Sequence, residues 1–131
     1  MLDAAQRTHE FKLAVPADPQ SLKVVRRAVQ GLEEVYGHEV ISRLAVIFSE
    51  LVTNAIRHAG ISRDATLDVE LEIGSNMIKG RVTDHGRGFD PAAVPPPNPR
   101  HEGGFGLRIV DRLATRWGVR VNGSTEVWFE L

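Results

Sequence analysis

Cysteine is absent from the 131 residues, which excludes disulfides, thiolate metal sites and cysteine nucleophiles. No apolar run approaches the roughly 20 residues needed to cross a bilayer. The opening stretch, Met1 to Glu10, carries charges and no apolar h-region, so it does not read as a secretory signal. A strong charge of either sign is also missing. The formal net charge is −1, which argues against a nucleic-acid surface as the main business of the chain. The five histidines show no metal-ligand spacing, so zinc is not expected. A cytoplasmic protein without membrane or direct nucleic-acid partners is the simplest expectation.

What is present is an ordinary soluble composition, with 42% hydrophobic and 25% charged residues, and enough chain for one domain with its own core. Residues 1–8 read as a flexible tail and 9–131 as the domain. Phe11, Leu13 and Val15 alternate with Lys12 and Ala14 as a short strand that Pro16 ends. Asp18-Pro19 reads as an N-cap with proline at the first helical position, opening a helix through about Tyr36 that Gly37 stops. A long amphipathic helix is expected from about Glu39 to Ala59, closed by Gly60. Thr66 to Ile73 alternates cleanly, a half-buried strand with one wet face, and Gly74-Ser75-Asn76 turns it into a partner from Met77 to Thr83.

Prolines and glycines between Pro91 and Gly106 forbid regular structure there. A helical pattern resumes from Leu107 to about Thr115, and a hairpin of Val119 to Asn122 and Thr125 to Leu131 closes the chain around Asn122-Gly123. The sum is an α+β two-layer sandwich, a mainly antiparallel mixed sheet of about five strands covered on one face by three helices.

Three constellations could carry chemistry. On the long helix, Ile41, Leu44, Phe48, Leu51, Val52, Ala55 and Ile56 share an apolar face. Glu50 and Asn54 stand one turn apart on the other side, with Arg57 three residues on. Carboxylate and amide oxygens in a row suit Mg²⁺, a hard ion, although a solvated helix face has the same pattern. Asp84, at a strand end before Gly86 and Gly88, could accept a hydrogen bond from an exocyclic amine such as that of adenine, with no Cβ to keep a flat ligand away. Equally, it could cap its own tight turn. Gly103-Gly104-Phe105-Gly106 opens a helix, whose free N–H groups and dipole favour an anion. The proline-rich stretch before it could close as a lid.

Taken together, Glu50-x-x-x-Asn54, Asp84-x-Gly86-x-Gly88 and Gly104-x-Gly106 occur at spacings of about 30 and 20 residues. This order resembles the ATP-binding domain shared by gyrase, histidine kinases and their relatives, the GHKL superfamily with the Bergerat fold. The resemblance runs from Phe11 to Leu131. Within it, Ser49-Glu50-Leu51-Val52-Thr53-Asn54-Ala55-Ile56-Arg57-His58 looks like the bacterial anti-sigma-factor serine/threonine kinases.

The resemblance implies ATP and Mg²⁺ as cofactors, with the metal on the side-chain oxygen of Asn54 and the adenine amine read by Asp84. Gly86 and Gly88 would line the adenine pocket. Gly103, Gly104, Phe105, Gly106 and Leu107 would wrap the phosphates, with Arg57, His58 and Arg100 as candidate phosphate contacts. His58 serves equally well as a helix C-terminal residue facing the dipole. Glu50 would be the general base that polarises an incoming hydroxyl.

The implied function is a kinase that binds a sigma factor and phosphorylates an anti-sigma-factor antagonist. A homodimer is implied too, at the exposed edge of the Phe11 strand. The chain departs from some of these kinases where a basic residue meets the γ-phosphate. Glu102, Gly103 and Phe105 stand there, and the nearest arginines are Arg100 and Arg108. An ATP-binding module that sequesters a partner without phosphoryl transfer is therefore the alternative. The catalytic domain of a histidine kinase fits less well, because the first residues read as a strand and helix of this same fold.

Overall fold

The computed structural model describes residues 9–59, 65–85 and 107–131. In chain order these form β1 (His9–Pro16), α1 (Ser21–Gln30), α2 (Glu33–Tyr36), α3 (His38–Ala59), β2 (Thr66–Ile73), β3 (Ile78–Asp84), α4 (Arg108–Leu113), β4 (Arg116–Val121) and β5 (Thr125–Glu130). The strands make one sheet in the order β1-β2-β3-β5-β4, and every neighbouring pair is antiparallel. The two-layer sandwich is borne out, without the parallel pairing that a mixed sheet would include among the described strands.

Strand alternation sorts the residues between two faces. Leu13, Val69, Val82, Val127 and Val119 lie in one cross-strand row on the side of the helices. Lys12, Glu70, Arg81, Trp128 and Gly118 form the neighbouring row on the wet side. Over the apolar face lies α3, because Ile41, Leu44, Ile47, Phe48, Leu51 and Val52 are all buried along it. Phe48 meets Phe129 edge to face, with ring centroids 5.2 Å apart. Gly80, in the middle of the central strand, makes room for that pair. A Cβ there would come within 2.4 Å of the Phe129 ring and 2.8 Å of the Phe48 ring, closer than atoms can pack. A glycine inside a strand often marks such an approach.

The first helix differs from its sequence reading. The chain does turn at Asp18, whose Oδ1 accepts the Gln20 N–H at 2.8 Å. Yet residues 18–23 are joined by i→i+3 bonds, so a tight turn precedes α1 and Ser21 starts the helix proper. The helix then breaks after Gln30, and Glu33–Tyr36 is a separate turn, giving four helical segments among the described residues rather than three. Gly31 N–H bonds the Arg27 carbonyl and Leu32 N–H bonds that of Val29, an ending made by backbone rather than by the expected Gly37. Gly37 does carry the left-handed φ of 90°, at the corner before α3. The last hairpin has a three-residue loop with Gly123 at φ 72°. Its first strand begins three residues earlier than expected, because Gly118 accommodates the Trp128 ring, which a Cβ would approach to 2.8 Å.

The wet face carries an ion-pair chain across all five strands. Lys12 reaches Glu70 at 3.7 Å, Arg81 bonds both Glu70 and Glu126, and Arg120 meets Glu126 at 3.2 Å. The Arg81 hydrogen bond, opposed in part by burial, holds the Glu70 carboxyl below its usual value of 4.5. A carboxylate with a lowered folded pKa stabilises the fold above its unfolded pKa, and that contribution is lost as pH falls through the folded one. The midpoint of thermal unfolding should therefore fall as pH drops below about 4.5. Glu70→Gln should flatten this part of the profile, and the two curves should converge in acid. Equal slopes would show that the pair contributes nothing, as many exposed pairs do.

Candidate functional site

Two polar groups mark one end of the sandwich from inside. Asp84 closes the central strand at 5% exposure, and Asn54 on α3 is buried to 4%. The architecture brings them to the same end. Val40, at the start of α3, lies with Ile73, Ile78 and Leu131, and Phe48 lies over Gly80. Helix and strand thus run in the same direction. From Phe48 to Asn54 the helix rises about 9 Å; from Gly80 to Asp84 the strand advances about 13 Å.

Asn54 corrects the sequence reading of a row on the solvent side. At 100° per residue it falls about 20° of arc from Ile47, well within the buried face. Its neighbours in the row diverge outward: Glu50 is half-buried and Arg57 exposed. The row therefore runs obliquely from core to solvent. The Oδ1 of Asn54 is buried without a hydrogen-bond partner among the described residues. A buried amide oxygen left unpaired costs about 1–3 kcal/mol, so its retention points to a ligand.

Thr125 is the residue that the sequence reading missed. It opens β5 directly opposite Asp84 in the register, is 6% exposed, and its Oγ1 also lacks a hydrogen-bond partner among the described residues. Its signal was legible: Val127 and Phe129 point into the core, and Thr125 has the same parity. A polar side chain at an inward position is informative. Leu107 is wholly buried and packs in the core, so its side chain anchors α4 and only its backbone is available to a ligand. Gly86, Gly88, Arg100, Gly103, Gly104, Phe105, Gly106 and the expected lid lie outside the described residues. So do the tail, Gly60 and the side chain of His58.

The groups at this end offer oxygen atoms: the carboxamide of Asn54, the carboxylate of Asp84 and the hydroxyl of Thr125, with Glu50 one helical turn before Asn54. Oxygen donors fit a hard divalent cation, and a buried carboxylate with a hydroxyl opposite fits the amine edge of a purine. No group of three or more histidine or acidic side chains among the described residues could hold a metal by itself. A cation here would need ligands from a bound molecule as well, as Mg²⁺ bound through phosphates does.

Comparisons with known proteins bear on the family and the fold. The chain is 29% identical over 116 residues to the serine-protein kinase RsbW of Oceanobacillus iheyensis, covering 79% of this chain and 73% of that one. It is 28% identical over 131 residues to RsbW of Bacillus licheniformis, with 89% and 81% covered. Among solved structures, the RsbU and RsbW domains of Rv1364c from Mycobacterium tuberculosis superpose with a TM-score of 0.65 at 17% identity. That match covers 93% of this chain and spans 32% of the other. The histidine kinase domain of the blue-light activated kinase EL346 from Erythrobacter litoralis gives 0.58 at 21% identity, covering 88% and 60%. At such identities the structures speak for the fold alone. Residues 15–131 match the histidine kinase-like ATPase domain, and the chain belongs to that family.

Proposed function

We propose that this chain is an ATP-dependent serine/threonine protein kinase of the anti-sigma-factor type, which binds a sigma factor and phosphorylates an anti-sigma-factor antagonist. The observation that carries the reading is the buried oxygen of Asn54, without a hydrogen-bond partner among the described residues, one helical turn from Glu50. Similarity to the RsbW serine-protein kinases supports the choice of serine or threonine as acceptor. Asp84 reads the adenine amine, with Gly86 and Gly88 lining that pocket. Asn54 holds Mg²⁺, and the backbone from Gly103 to Leu107 cradles the phosphates, with Arg57, His58 and Arg100 beside them. Mg²⁺ supplies the charge neutralisation that phosphoryl transfer requires. Glu50, the half-buried member of the row, takes the proton of an incoming hydroxyl.

A calorimetric titration with Mg²⁺-ATP tests the binding half. Asp84→Asn should weaken binding about 100-fold, the value of a charge-assisted hydrogen bond of nearly 3 kcal/mol, with the circular dichroism spectrum unchanged. Wild type that takes up no nucleotide would end the reading. The runner-up, a nucleotide-binding module that sequesters a partner without phosphoryl transfer, is favoured by one feature. Glu102, Gly103 and Phe105 stand where a basic residue would face the γ-phosphate.

A further inference from the structure

We infer that His85 and Asp68 are a positioning pair, which fixes the Asp84 carboxylate from behind and thereby sharpens the preference of the site for adenine over other purines. This rests on the proposed role of Asp84. Asp84 belongs to the inward row of the sheet, with Val15, Leu67 and Thr125. Asp68 stands in the adjoining outward row, with Ala14, Thr83 and Glu126. His85, one residue past Asp84, meets Asp68 on that outward side, its Nε2 lying 2.5 Å from Asp68 Oδ2. A carboxylate can only accept, so the imidazole Nε2–H donates.

The strand itself gives no reason for an aspartate at position 68. Aspartate is a poor strand former, and Asp68 takes no share in the ion-pair chain of the wet face, which runs through Lys12, Glu70, Arg81, Glu126 and Arg120. Its cross-strand neighbours, Ala14 and Thr83, carry no charge. Among the described residues its ion pair is with His85. The pair is therefore separate from the chain and lies at the end of the sheet that holds the site.

That location gives the pair its leverage. β3 ends at Asp84, and the backbone bond from the His85 N–H to the Thr66 carbonyl is 3.3 Å long, beyond the usual value of about 3.0 Å. Gly86 and Gly88 follow in the sequence, and glycine sets few limits on the backbone beside it. The side-chain bond adds a second tie between the end of β3 and β2, one residue from the carboxylate that meets the adenine amine. Both side chains are nearly half exposed, at 47% and 44%, so the tie adds little to overall stability. What it restricts is the direction of one carboxylate, and a binding group must be held within about 0.5 Å of its productive place.

The test is calorimetric titration of the chain with Mg²⁺-ATP and with Mg²⁺-ITP, whose base has an oxygen where adenine has its amine. Wild type should prefer ATP by about 100-fold, the value assigned to the Asp84 hydrogen bond. His85→Ala should weaken ATP about fivefold and leave ITP within about twofold, because only ATP uses the carboxylate. Asp68→Ala should do the same. The double variant should be no worse than either single one, since residues that act through one bond are not additive. An unchanged ATP-to-ITP ratio in the single variants, equal weakening of both nucleotides, or effects that multiply in the double variant would overturn the proposal and leave the adenine reading standing. Wild type that binds the two nucleotides equally would end the adenine reading, and this role with it.

Discussion

Glu50→Gln should lower phosphoryl transfer to a serine acceptor by about 10²–10⁴-fold, the range that a positioned general base contributes. Glutamine keeps the shape and the hydrogen bonding of the side chain but cannot take a proton at neutral pH. Because the reading assigns nucleotide contacts to Asn54 and Asp84, Mg²⁺-ATP affinity should stay within about twofold of wild type, less than 0.5 kcal/mol. Single-turnover transfer, measured beside a calorimetric titration, separates the two quantities. A variant that transfers at the wild-type rate would remove Glu50 from the chemistry. One that loses nucleotide binding as well would make it a structural support for the pocket.

Phe48→Ala should destabilise the fold by about 3–5 kcal/mol, the range found when a buried phenylalanine is truncated. Its ring is 1% exposed, packs edge to face on Phe129 and lies 6.3 Å from that of Phe11, centroid to centroid. It therefore joins α3 to an edge strand and to the centre of the sheet. A small domain has only about 5–15 kcal/mol of stability in all, so the variant should unfold at a much lower urea concentration, with the slope of the transition unchanged. Phe48→Leu, which retains most of the volume, should cost distinctly less. If the alanine variant lost under 1 kcal/mol, the helix and the sheet would not be held together at this point.

The parts that were legible in the sequence are those where one local pattern governs. Thr66–Ile73 is found with the bounds that its alternation gives, because each inward residue meets the core and each outward one meets water. The long helix begins within a residue of its expected start, since its apolar face is continuous from Ile41. What could not be read were choices made by distant neighbours. Gly31 carries no mark that distinguishes a helix end from a tolerated glycine, and the break there depends on how α1 and α2 each meet α3. The start of β4 at Arg116 depends on Trp128, its partner across the hairpin. At the site, Glu50 and Asn54 could be put in one row, and the helical period, which sets Asn54 about 20° of arc from the buried Ile47, holds the information that Asn54 is its inner member. Thr125 was legible as a polar residue at an inward parity, but its place opposite Asp84 came only with the register.

Gly80 acts as a spacer gauge for the molecule. With hydrogen in place of a methyl group, two aromatic rings fill the gap and the helix settles low over the strand. Four residues further along the same strand, the clearance between the two elements sets how far Asn54 stands from Asp84. Any side chain at position 80 would have to lift the helix there, and the lift would be carried along a rigid rod to Asn54. The separation of Asn54 and Asp84 is therefore set partly from the centre of the core, by a residue that adjoins neither of them.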